Sequence, residues 1–256
     1  MKPLRLAQLA QWCGGRLHGD DAEVDAVSTD TRTLAGDGRR VLFVALKGGN
    51  FDGHDALSAF MGGASSPTKS AGKPVAAKAD PTKAVAAALV SRELEIDLPQ
   101  VVVADTERAL GAFAAAMQER RATKVLAVTG SNGKTSVKSL LLAILAHAGE
   151  AYANPGNRNN EIGLPLAVID APDDADFAVY EMGAGKPGDI AYLTGIARPD
   201  VALVNNIAPA HLERMGSLLG VADTKAAIYD ALPAQGVAVI NADDAFAPFF
   251  EQRVFA

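Results

Sequence analysis

The residues with the most definite chemistry lie in one run, Thr129-Gly130-Ser131-Asn132-Gly133-Lys134-Thr135-Ser136. Two glycines let backbone N–H groups come close to an anion, and a helix starting at Lys134 adds partial positive charge at its N-terminus. A lysine ammonium next to such a turn neutralises outer phosphates, and the neighbouring threonine hydroxyl can hold Mg²⁺. Gly130, Ser131, Asn132, Gly133, Lys134, Thr135 and Ser136 are therefore candidate ATP-binding residues, with Thr135 also a candidate metal ligand. The usual phosphate loop has four residues between its first glycine and Gly-Lys, whereas only Ser131 and Asn132 stand there in this chain.

The elements around the run must hold it in place. An apolar, β-prone segment, Lys124 to Thr129, leads into the turn. A helix over Lys134 to Ala148 leaves it, with Val137, Leu140, Leu141, Ile144 and Leu145 assigned to one face. Further strands are expected at Phe177–Glu181, Val201–Val204 and Val237–Ile240, and a helix over Asp223–Leu232. Alternation of this kind predicts a parallel sheet with helices on both faces. Each strand ends in polar residues: Thr129-Gly130, Glu181, Asn205-Asn206 and Asn241-Ala242-Asp243-Asp244. In open parallel sheets the ligand crevice lies at the carboxyl ends of the strands, so these ends should converge on one site.

Residues 1 to about 121 read as a separate α/β unit. It has a helix near Leu4 to Cys13, a strand over Val41 to Leu46, and a helix over Thr106 to Arg121 capped by Asp105. Residues 122 to 256 form the second unit. Met61 to Lys83 contains four lysines, Pro67, Pro74 and Pro81 and almost no periodic apolar residues, so it reads as a loop or insertion. The 256 residues are 49% apolar, enough for two cores, and carry a net charge of −6, which argues against a broad basic surface for nucleic acid. No apolar run approaches the roughly 18 residues of a membrane span. Neither a signal peptide nor a disulfide framework is indicated; Cys13 is the sole cysteine, and a cytoplasmic location is expected.

The central stretch resembles the Mur ligases, the ATP-dependent amide ligases of peptidoglycan precursor synthesis, and within them the MurF type. The phosphate-loop run carries the resemblance together with Gly156-Asn157-Arg158-Asn159-Asn160-Glu161-Ile162-Gly163-Leu164-Pro165. So do Glu181-Met182-Gly183-Ala184, Pro187-Gly188-Asp189-Ile190, Ala210-His211-Leu212-Glu213 and Gly216-Ser217. The N-terminal unit is similar to the family's UDP-binding domain at Ser28-Thr29-Asp30-Thr31-Arg32, at Leu42 to Gly48 and at Phe51-Asp52-Gly53-His54-Asp55.

The resemblance implies joining of D-alanyl-D-alanine to UDP-MurNAc-tripeptide. A substrate carboxylate takes the γ-phosphate of ATP, and the incoming amine displaces phosphate from the acyl phosphate. It implies two Mg²⁺ ions and a monomer. Lys134 would span the outer phosphates, and Thr135 and Glu181 would ligate Mg²⁺. His211 would help to hold the second metal. Lys225, fourteen residues after His211, would do so as a carbamate formed with CO₂. Asn241 would contact the adenine and Asn205 would line the site. Asn157 and Asn160 would face the muramyl-peptide, and Asp30, Thr31, Arg32, Lys47, Gly48, Asp52, Gly53 and His54 the UDP moiety. Where the family often continues Lys-Gly-Glu-Ile, this chain has Lys225-Ala226-Ala227-Ile228 and lacks the glutamate. The resemblance also implies a third, C-terminal domain and further sheet strands, so the chain is expected to hold the first two domains only, and whether it turns over without the rest stays open. Two other readings stay open: a sibling ligase, such as the diaminopimelate-adding or folylpolyglutamate type, and a non-catalytic nucleotide- or UDP-sugar-binding remnant.

Overall fold

The computed structural model describes residues 1–34, 38–62 and 84–255. Nearly all of the segment expected to be a loop or insertion, 61–83, lies outside the described residues. The chain divides into two compact units, Met1–Phe113 and Ala114–Ala256.

The first unit contains β1 (Leu4–Arg5), α1 (Leu6–Cys13), β2 (Arg16–His18), β3 (Glu23–Val24), β4 (Ala26–Ser28), β5 (Val41–Val44), α2 (Gly53–Met61), β6 (Val85–Val90) and β7 (Gln100–Val102). Helix α3 (Thr106–Gln118) contains the division between the units. Strands β4, β5, β6 and β7 pair in parallel in that order, and β2 adds antiparallel to β7. Phe43, Leu57, Ala88 and Val90 are buried in one core, as the continuous apolar runs of β5 and β6 require of strands covered on both faces. The segments after β4 and β5, Asp30–Arg32 and Lys47–Gly53, follow the carboxyl ends of neighbouring parallel strands.

The second unit contains β8 (Lys124–Thr129), α4 (Lys134–Leu145), β9 (Ala151–Ala153), α5 (Gly163–Asp170), β10 (Phe177–Glu181), α6 (Asp189–Ala197), β11 (Val201–Val204), α7 (Leu212–Met215), α8 (Leu218–Asp230), β12 (Val237–Ile240) and α9 (Ala247–Phe255). All strand pairs of its sheet are parallel, in the order β12-β11-β8-β10-β9. The chain leaves β8 toward β9 and later crosses to β11 on the other side, which makes the carboxyl end of β8 a topological switch point. The hydroxyl of Tyr229 on α8 ties the outer strands, accepting from Val204 N at 3.1 Å and donating to Val239 O at 2.9 Å.

The four expected strands of this unit match β8, β10, β11 and β12, but two helices differ. Helix α8 starts at Leu218, five residues before the expected Asp223, because Ser217 Oγ accepts the Gly220 N–H at 3.0 Å and caps it there. The face of α4 assigned to Val137, Leu140, Leu141, Ile144 and Leu145 is split: Leu140 and Ile144 are each 65% exposed, Val137, Leu141 and Leu145 are half-buried, and the buried residue of the helix is Lys138. Lys138 faces the end of β10, where its ammonium lies 3.2 Å from Glu181 Oε2.

Candidate active site

The loop after β8 is held in shape from β11. Ser131 N donates to Asn206 O at 2.9 Å and Asn132 N to Asn206 Oδ1 at 2.9 Å, while Asn205 Nδ2 returns a bond to Asn132 O at 2.8 Å. Gly133 takes a left-handed φ of 76°, and a Cβ there would meet Asn205 Nδ2 at 2.8 Å, so glycine is required both for conformation and for space. Sequence reasoning counted Ser131 and Asn132 as donors to phosphate. Their N–H groups are already used within the protein. Lys134 Nζ folds back on Gly130 O at 2.9 Å.

Glu181 ends β10 beside this loop and is 3% exposed. Its Oε2 accepts from Thr135 Oγ1 at 2.9 Å and pairs with Lys138 Nζ at 3.2 Å, and its Oε1 accepts from Asn159 Nδ2 at 2.9 Å. Burial alone would raise this carboxyl's pKa. The bonds from Asn159, Thr135 and Lys138 outweigh it and hold the group below its ordinary value. Glu181 is therefore an ionised carboxylate next to a threonine hydroxyl.

Lys225 on α8 is 3% exposed and shares a cavity of about 380 Å³ with Gly130, Lys134, Asn159, Asn160 and His211. Burial, reinforced by the charge of Lys134, lowers its pKa to about 8. His211 precedes α7 in a left-handed conformation, φ 51°, at the rim of the cavity. No cluster of three His, Cys, Asp or Glu side chains suited to a metal exists among the described residues. Mg²⁺ does not demand one: it is bound through one or two carboxylates plus substrate phosphates and water, a set that Thr135 and Glu181 fit.

The other expected residues fall out unevenly. Asn160 lines the cavity but spends Oδ1 on the Gly163 N–H at 2.8 Å, and Asn157 is exposed outside the lining. Asn205 is a brace of the phosphate loop, and Asn241 Nδ2 braces it in turn through Asn205 O at 2.8 Å. Ser136 is exposed on α4. In the first unit, Asp30 caps a short 3-10 turn over Thr31–Thr33 and pairs with Arg32. Lys47 and Asp52 form a β-bridge, with Gly48 N donating to Phe51 O inside it. A Cβ on Gly53 would meet Leu46 O at 2.8 Å. His54 was expected to touch the UDP moiety. It is 1% exposed, its Nδ1 is 2.7 Å from Asp52 Oδ1 and its Nε2 accepts from Ser91 N at 2.8 Å, which leaves neither ring nitrogen for a ligand. Sequence reasoning did not find Lys138, Asn154 or Asn159, nor Lys186 and Arg214 in the cavity wall.

The family model of the Mur ligase middle domain matches residues 128–255. A UDP-N-acetylmuramoyl-tripeptide–D-alanyl-D-alanine ligase of Escherichia coli is 44% identical over 245 residues, 95% of this chain and 49% of that protein. The corresponding ligase of Haemophilus influenzae is 39% identical over 248 residues, 95% of this chain and 50% of that protein. Among solved structures, a MurF from Acinetobacter baumannii superposes with a TM-score of 0.85 at 30% identity, covering 100% of this chain and 52% of that one. MurF ligase from Thermotoga maritima in complex with ADP gives 0.73 at 29% identity, over 90% of this chain and 48% of that one. The chain thus spans about half the length of the relatives it matches.

Proposed function

Because this chain belongs to the Mur ligase family, we propose that it supplies the nucleotide site and muramyl-peptide site of an ATP-dependent ligase joining D-alanyl-D-alanine to UDP-N-acetylmuramoyl-tripeptide. The observation that carries the reading is that Lys134 and Lys225 line one cavity at the carboxyl edge of the parallel sheet, with Thr135 and Glu181 bonded to each other beside it. A peptide carboxylate and the γ-phosphate are both anionic, so the site must concentrate positive charge before the first bond can form. Lys134 turns from Gly130 O to the outer phosphates. Mg²⁺ would supply further neutralisation when bound, held by Thr135 and Glu181, and His211 would help to hold a second ion. The carboxylate oxygen attacks the γ-phosphorus, ADP departs, and the amine of D-alanyl-D-alanine then displaces phosphate from the acyl carbon.

Lys225 is assigned as the carbamylated residue. Its neutral Nζ bonds to the carbon of CO₂ and a proton leaves, so a buried cation becomes an anion with two oxygen ligands. Burial, the pKa of about 8 and the absence of any hydrogen bond or ion pair from its amine to a described residue favour this chemistry. No described helix is long and apolar enough to cross a membrane, and the reaction is assigned to the cytoplasm. The test is a titration of Mg·ATP beside Lys134→Ala, followed by a ligation assay that counts ADP and the pentapeptide product. Equal ATP affinity in parent and variant would defeat the assignment of the nucleotide site. ATP binding with D-glutamate, diaminopimelate or a folate accepted in place of D-alanyl-D-alanine would move the chain to a sibling activity.

A further inference from the structure

Lys138 is a lysine in the middle of a helix, a position usually solvated, yet it is 5% exposed. Its ammonium has three donors, and three oxygens receive them: Asn154 O at 2.9 Å, Gly156 O at 3.0 Å and Glu181 Oε2 at 3.2 Å. Two of these belong to the loop that follows β9, and the third is the carboxylate at the end of β10. The same loop is fastened to the same strand end by other bonds. Asn154 Oδ1 accepts from Glu181 N at 2.9 Å, Asn154 Nδ2 donates to Glu181 O at 3.1 Å, and Gly183 N donates to Asn159 O at 2.8 Å. Lys138 reaches this set from α4 as the cation that meets Glu181, and it sits one helical turn beyond Lys134 of the phosphate loop.

We propose that Lys138 is a positioning residue that locks the Asn154–Asn160 loop to Glu181, so that the loop meeting the muramyl-peptide and the strand end holding the metal act as one rigid body. Removing the ammonium leaves two loop carbonyls and a buried carboxylate without their shared partner, and buried polar groups left unpaired are the costly case. The loop then relaxes to recover hydration, and the asparagines at its tip lose their place in the cavity wall. The effect falls on binding of the peptide substrate, because the phosphate loop keeps its own braces from Asn205 and Asn206.

The proposal rests on the ligase reading for what the loop meets, and on the bonds of Lys138 alone for the lock. The test therefore has two arms, using Lys138→Met and the donor-retaining Lys138→Gln. Amide hydrogen exchange of the ligand-free protein should quicken about tenfold or more across residues 154–160, with β12 and α9 unchanged, and Lys138→Gln should recover part of the protection. In the ligase reaction, KM for UDP-N-acetylmuramoyl-tripeptide should rise about tenfold in Lys138→Met while KM for ATP stays within about twofold. Unchanged exchange in the loop, exchange raised equally through the whole unit, failure of both variants to fold, or a shift confined to KM for ATP would each overturn the proposal. A parent protein without ligation would count against the ligase reading, while the exchange arm would still decide the lock.

Discussion

At the scale of single residues, Lys225 and Glu181 make opposite use of burial. Glu181 stays ionised because three donors surround it, whereas Lys225 has no hydrogen-bond or ion-pair partner among the described residues and is pushed toward the neutral amine. Lys225→Ala should lower ligation by about a hundredfold or more, in the range of removing a transition-state charge group, and short carboxylic acids should restore part of it. Full activity of the variant would remove Lys225 from the chemistry. Glu181→Gln should raise the Mg²⁺ concentration needed for half-maximal ATP binding by about tenfold, with an unchanged titration as the contrary result. Lys134 and Thr135 were legible because the phosphate-loop signature is contiguous. Glu181 was legible as the polar end of a strand, with its metal role implied only by the family resemblance, and Lys225 came from the resemblance alone. Lys138 and Asn154 were not legible at all, and Asn159 stood in a recognised run without a role. Their roles are defined by Glu181, which lies 22 to 43 residues further along the chain.

At the scale of elements, the four longer strands of the second unit were legible as apolar runs, whereas the three-residue β9, and β6 and β7 of the first unit, were not expected. The exposure of Leu140 and Ile144 on α4 was not legible either. An apolar residue on a helix signals an inward face only when nothing else competes for that face. Here the end of β10 presents a carboxylate, and α4 turns Lys138 to it. Substituting Leu140→Gln should therefore change stability by less than about 0.5 kcal/mol, as at ordinary surface positions, and a loss above about 2 kcal/mol in denaturant unfolding would contradict the exposed placement. Gly133→Ala tests the turn that begins α4. A left-handed φ costs an L-residue about 1–2 kcal/mol, and its Cβ would also press on Asn205, so both stability and ATP affinity should fall. Wild-type ATP affinity in that variant would mean that the Asn205 brace is not what shapes the loop.

At the scale of the whole molecule, charge placement predicts how stability responds to pH, with two windows of the same sign. Asp230 is held below its ordinary value first by the hydrogen bond from Arg253, which also meets Asp223 and pins α9 to α8. Asp52 is likewise lowered, by bonds from His54 and Arg92 that overcome its desolvation. The unfolded chain binds more protons at such groups, so their stabilisation is complete above the ordinary carboxylate range and is lost as pH falls through the folded values. Arg253→Ala should flatten part of that acid loss. Lys225 acts higher up. Its folded pKa of about 8 lies below the ordinary 10.5. Between those values the unfolded chain holds the extra proton, so stability rises with pH through the window, and at pH 7 the buried cation is a burden. That burden converts to roughly 1–3 kcal/mol. Lys225→Met should therefore unfold at higher urea than the parent at pH 7 while losing ligation, with the advantage shrinking toward pH 10. A variant less stable than the parent at pH 7 would show that Lys225 is already modified or paired in solution, since a carbamate would remove the burden that the methionine is meant to relieve.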